Sequence, residues 1–233
     1  MYNLYRWLSY IVPPIFLSLF FLYGNDSVFF DRLYLGALLA SCYFCYRDKD
    51  ALGAIIIVVL FWLASELLFI LPNTLPFKIA VYCFSLTVGL VYRQLLIGLL
   101  LVILTAFGLI AEVYWQMTNY PHTPEMLYYF GLLSSCVVAK RLLYYRIPIS
   151  SQYFNYTSGK IALDFRINGI FDLYYILCIL NIIEYYLRHV SEHREIILMY
   201  TVWQPANVLL SLLTLSFIYH FYFKYQAKKH FTA

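Results

Sequence analysis

Residues 52–71, LGAIIIVVLFWLASELLFIL, form an apolar run of 20 residues broken by one charged side chain, Glu66. As a helix, a run of that length spans the roughly 30 Å hydrocarbon core of a bilayer. Similar runs recur along the chain, and eight spans are expected at 4–23, 29–46, 52–71, 76–92, 95–115, 126–145, 171–190 and 196–222. Only 12% of residues are charged, against roughly 25% in an ordinary soluble domain. Eight spans of about 20 residues use most of the 233, which leaves no length for a separate soluble domain. Long runs without alternation exclude a β-barrel. The expected fold is therefore all-α, a polytopic membrane helix bundle forming a single domain over 1–233. The 25 Tyr and 19 Phe suit aromatic belts at many membrane interfaces.

Short polar or Pro-containing breaks separate the spans: GNDS, RDKD, LPNTLP, Arg93-Gln94, TNYPHTPE and HVSEHRE. The first span reads as a signal anchor, because its run is long, Pro13-Pro14 interrupts it and no small-x-small cleavage pattern follows. Segment 146–170 is too polar to cross and is expected as a cytoplasmic interfacial loop, with a short amphipathic helix near 160–167. With the N-terminus inside, 12 of the 16 Lys and Arg fall on the cytoplasmic side and 4 (Arg32, Lys78, Arg188 and Arg194) on the outer side. The positive-inside rule then puts both termini in the cytoplasm, in a bacterial inner membrane or its equivalent.

Polar residues inside the spans recur at helical spacing. The fifth span has Gly98, Thr105, Gly108, Glu112 and Gln116 on one face. The seventh has Tyr174, Cys178, Asn181, Glu184 and Arg188, and the eighth Gln204, Asn207, Ser211 and Thr214. Such stripes are helix–helix seams first, since small residues allow close approach and polar groups need partners in lipid. An acid in a span normally faces protein or water. Glu66, Glu112 and Glu184 fall in the outer halves of their spans, with Asn181, Gln204 and Asn207 near them, and together form a candidate cation or proton site. Glu184 also has Arg188 at i+4 as a candidate neutralising partner.

His189-Val190-Ser191-Glu192-His193 is an H-x-x-E-H string, an order in which two His bind zinc and the Glu acts on water in some peptidases. No Asp or Glu follows Glu195 to serve as a third ligand, so the string assigns no family. A weaker metal site would combine His189 and His193 with His122 and Glu125 on the same side. Cys42-x-x-Cys45 approaches the cytoplasmic face, and all five cysteines lie in apolar runs, where buried free thiols are expected. No catalytic residues and no cofactor are indicated, and the sequence leans against an enzyme without excluding one.

The inner surface gathers Lys140, Arg141, Tyr144, Arg146, Lys160 and Arg166 into a basic, aromatic face. Anionic inner-leaflet lipids account for it, and a membrane-protein partner or a homo-oligomer could also use it. Nothing points to nucleic acid. Two functions follow: an accessory or subunit protein engaging membrane or cytoplasmic partners, or a small proton- or cation-coupled transporter or channel using the outer carboxylates. A membrane-embedded metal-dependent enzyme is the remote third.

Overall fold

The computed structural model describes residues 27–46, 48–72, 74–120, 126–155, 161–190 and 197–231, with the isolated positions 18 and 159. Side chains at 27–29, 154, 200 and 223–231 lie outside the described set. The described chain is all-helical and contains no strand. Its helices are α1 (Ser27–Phe44), α2 (Lys49–Ile70), α3 (Leu75–Val91), α4 (Leu96–Met117), α5 (Leu127–Phe154), α6 (Ala162–His189) and α7 (Leu198–Phe231). Four stretches are long and apolar enough to cross a membrane: Lys49–Ile70, Leu96–Met117, Ala162–His189 and Thr201–Tyr222. Helix α3 is apolar but shorter. The first expected span lies outside the described residues except Ser18, and the other seven each fall on one helix.

Local chemistry sets several helix ends. The Asp48 carboxylate accepts the backbone N–H groups of Asp50 and Ala51, both at 3.1 Å, and so caps α2. Pro76 sits in the first turn of α3, where a missing N–H costs no helical bond. Helix α4 stops in a Schellman turn. Asn119 takes a left-handed φ of 48°, and the Tyr120 N–H reaches back to the Trp115 carbonyl at 3.0 Å. Asn155 adopts the same φ directly after α5. Asn tolerates that conformation better than other side-chain-bearing residues, which makes both positions natural helix stops.

Segment 146–170 is largely helical. Helix α5 continues through Pro148 to Phe154, and α6 starts at Ala162, at the position of the expected short amphipathic helix. The start of α6 is fixed by half of a capping box, with the Asp164 Oδ2 accepting the Ile161 N–H at 3.0 Å.

The helices contribute to two compact units. One comprises 1–59, 145–170 and 209–233, and the other 60–144 and 171–208. In the first unit, α1 packs on the later part of α7 through a seam of hydroxyls and rings. The Tyr34 hydroxyl lies near Ser211 and Thr214, that of Tyr219 lies near Ser41, and Phe44 lies against Tyr222 at 6.2 Å between centroids. Ser41, Ser211 and Thr214 are all buried. The hydroxyl stripe of the last span is therefore a helix seam in this unit.

In the second unit the core is built of rings and small residues. Phe61 meets Phe171 edge-on at 5.0 Å, and Tyr82 packs on Phe130 at 5.3 Å. The Ser85 and Ser134 hydroxyls lie 2.8 Å apart, with the Phe130 carbonyl 3.3 and 2.8 Å from them. Two tyrosines of α6 reach α4 main chain: Tyr175 donates to the Ile97 carbonyl at 2.9 Å and Tyr186 to that of Leu104 at 3.2 Å. Helices α3 and α4 form a tight antiparallel hairpin. A Cβ on Gly98 would lie 2.1 Å from the Tyr92 carbonyl oxygen, and one on Gly89 would lie 2.7 Å from Val102. Only hydrogen fits at Gly98. Gly98→Ala is expected to lower stability by about 1–3 kcal/mol through overpacking. Gly36, with nothing within 4 Å of its Cβ position, provides the control. Gly36→Ala should hold or raise stability, by up to about 1 kcal/mol, since Ala is the better helix former. Thermal unfolding of both variants in mild detergent checks the contrast.

Candidate functional site

The candidate polar residues lie on four helices of the second unit: Glu66 on α2, Glu112 on α4, Asn181 and Glu184 on α6, and Gln204 and Asn207 on α7. Glu112 lies five residues before the end of α4 and is 7% exposed, so it does not reach water. Its partner is Lys78, in the first turns of α3. The lysine Nζ donates to both carboxylate oxygens, at 3.0 and 2.8 Å, and the Tyr82 hydroxyl lies 3.5 Å from Oε1. The carboxylate is thus held by one ammonium and approached by one phenol, in a site shielded from solvent. At so low an exposure, the ion pair is what makes burial of either charge tolerable.

Glu184 is also buried. Its Oε2 accepts the Met199 N–H at 2.5 Å, one residue into α7. Among the described residues it makes no ion pair with Arg188. The carboxylate therefore serves as a tertiary cap. It satisfies an orphan N–H at a helix N-terminus, where negative charge is favoured by the helix dipole. Spacing along α6 suggested Arg188, but the helix that packs against α6 supplied the actual donor.

The remaining members of the candidate set are distributed as follows. Asn207 accepts the Tyr174 hydroxyl at 2.7 Å, and the Asn181 amide donates to the Leu177 carbonyl within its own helix at 2.8 Å. Glu66 is half-buried and engaged in an interaction, and Gln204 is exposed. Among the described residues no three His, Cys, Asp or Glu come together in a way that would hold a metal ion.

Of the candidate metal ligands, His122, Glu125 and His193 lie outside the described residues. His189 is described, and its neighbours are aromatic. The Tyr185 ring stacks on the imidazole at 5.9 Å and 19°, while Trp115 and Tyr120 meet it edge-on at 6.4 and 5.8 Å. Tyr120 Oη is 3.2 Å from Nδ1, and the Trp115 indole N–H donates to the His189 carbonyl at 3.3 Å. The Schellman turn that ends α4 is what delivers Tyr120 to this contact. The rings continue through Tyr129 to Trp203 and Tyr128, and from there to Phe69. Amphipathic rings gathered at the helix ends are what a membrane–water interface favours.

The basic residues divide into two groups. Arg146, in the first unit, is 7% exposed and lies inside the protein. It bonds to Asp50 at 2.9 Å, Asp164 at 2.8 Å and the Gly159 carbonyl at 3.1 Å. Two separate segments, around Asp50 and at 159–164, are thereby tied to one guanidinium. Lys140 pairs with Asp172. Arg141 instead lies over the Tyr92 ring at 5.1 Å, and Arg166 over Phe217 at 5.1 Å. Tyr144 is exposed and Lys160 is outside the described residues. All five cysteines are free thiols; Cys45, Cys136 and Cys178 are buried and Cys83 is exposed.

Comparison with known proteins adds nothing further. No protein family, curated protein or solved structure matches this chain.

Sequence reasoning missed Lys78 as the partner of Glu112, and Asp50 and Asp164 as the partners of Arg146. One signal was present: Lys78 lies within an apolar run, where a lone cation needs an acid. Lys78→Met should cost about 3–5 kcal/mol by leaving Glu112 buried and uncompensated. Lys78→Met/Glu112→Met should recover most of that loss, and unfolding in mild detergent across the four-member cycle measures it.

Proposed function

We propose that this chain is a multi-pass integral membrane protein of the cytoplasmic membrane. In this reading both termini are cytoplasmic and the protein works as an accessory or subunit that engages membrane or cytoplasmic partners. The supporting observation is how its interior charges are used. Lys78, Glu112, Lys140, Asp172, Arg146, Asp50 and Asp164 are bonded to one another, and Glu184 caps a helix. Charges committed in this way hold helices in place. A basic, aromatic inner face is the natural contact for anionic lipids and for a partner.

The reading predicts a stable partner, or a second copy of this chain, retained in stoichiometric amount when the protein is purified in mild detergent. Repeated isolation as an unaccompanied monomer overturns it. A reporter domain fused after Ala233 should be active only if it functions in the cytoplasm, and activity of a periplasmic reporter would refute the orientation.

One observation favours the alternative of a proton or cation path. The Lys78 ammonium occupies a buried carboxylate-and-phenol cradle, as a transported cation would. On that alternative Glu112→Gln abolishes flux in proteoliposomes while the protein stays folded. On the accessory reading, wild-type and Glu112→Gln proteoliposomes show the same background leak.

A further inference from the structure

We propose that the turn joining α3 and α4, together with the facing stretch of α5, binds the headgroup of an anionic phospholipid, with Arg93 and Arg141 as the phosphate ligands. The proposal rests on the membrane reading above and narrows its broad basic face to one site. It begins from the charges of the second unit. Lys78 and Lys140 are taken by Glu112 and Asp172, and Arg188 lies at the opposite end, where α6 ends beside the end of α4. Arg93 and Arg141 have no carboxylate within ion-pair distance among the described residues. They are the cations at this end with charge to offer a ligand.

Their geometry is set in advance. The turn is held by three main-chain bonds, Tyr92 N–H to the Val88 carbonyl at 3.1 Å, Arg93 N–H to Leu90 at 3.4 Å and Leu95 N–H to Tyr92 at 2.9 Å. Gly98 packs directly on the Tyr92 carbonyl, which fixes the turn against the start of α4. The Arg141 guanidinium lies over the Tyr92 ring at 5.1 Å, and Arg93 is the next residue in the chain. Stacking uses the face of a guanidinium and leaves its N–H edge free, which is the edge that grips a phosphate.

The surroundings select a lipid over a soluble phosphate. Val91 and Leu96 flank the turn at 66% and 72% exposure, and Leu95 between them is exposed as well. Exposed apolar side chains beside two guanidinium groups match an acyl chain joined to a phosphodiester. Tyr144, three residues past Arg141 and 60% exposed, adds an amphipathic ring at the same level.

The test uses the full-length protein purified in mild detergent, offered phosphatidylglycerol or phosphatidylcholine, with retained lipid read by native mass spectrometry. Wild type should retain phosphatidylglycerol preferentially. Arg93→Gln/Arg141→Gln should lose that preference by about thirtyfold, from roughly fivefold for each arginine facing an anionic headgroup. Arg32→Gln, an exposed position on α1, should retain it. Arg93 is exposed and makes no tertiary bond among the described residues, so Arg93→Gln alone carries the test, at about fivefold, if the double variant fails to fold. An unchanged preference in the folded variants overturns the proposal. So does equal stabilisation by inorganic phosphate, which would make the site one for a soluble anion. Extraction of the protein from membranes by alkaline carbonate without detergent would instead overturn the membrane reading itself. Retention in the carbonate-washed membrane with no lipid preference would overturn this site alone.

Discussion

A charged group in an apolar interior must find a counter-charge or a hydrogen-bond partner within the protein, because neither lipid nor apolar side chains can solvate it. The rest of this structure depends on that constraint. Lys78 meets Glu112, Lys140 meets Asp172, and Arg146 meets Asp50 and Asp164. The partners lie 34, 32, 96 and 18 residues apart, so each bond also specifies which helices must be neighbours. Apolar packing alone discriminates poorly between helices whose exposed faces are largely apolar. A misplaced helix would leave at least one charge buried alone, at a cost of several kcal/mol.

Close approach of the backbones makes these bonds reachable. In the second unit Gly98 lets α4 start directly against the Tyr92 carbonyl, and Gly108 sits against the rings of Phe130 and Tyr82. That placement sets Tyr82 beside Glu112 and keeps the α3–α4 turn short. In the first unit the short hydroxyl side chains Ser41, Ser211 and Thr214 play the corresponding part, with Tyr34 and Tyr219 as their phenolic partners. Seams and ion pairs are therefore coupled: small residues set the distance at which the polar groups meet.

Much of the candidate site was legible as a set of positions, and little of it as a set of partners. Glu112, Asn181 and Glu184 stood out as polar residues at helical spacing in apolar runs, and all three are buried. Their partners did not stand out, because periodicity describes the faces of one helix and carries no information on which helix lies opposite. Arg188 looked like the natural neighbour of Glu184, yet the carboxylate accepts the Met199 N–H at the start of α7. Arg146 resembled its basic neighbours in the sequence, and only the arrival of Asp50 and Asp164 makes it an interior residue. The polarity of 146–170 suggests a loop, whereas the capping of α6 and the pairing of Arg146 accompany helix through most of it.

By itself the sequence determined the helical class, the positions of seven of the helices and the apolar lengths that suit a membrane. These follow from local rules, namely the length of an uncharged run, Pro and Asn at its ends and the cost of an exposed backbone in lipid. The tertiary structure alone decided which charges are paired inside the protein and which are not. Lys140 and Arg141 are adjacent in the chain, and one is neutralised by Asp172 while the other stacks on Tyr92. Successive residues on a helix point about 100° apart, so the same dipeptide faces two different neighbours, and only the fold determines what those neighbours are.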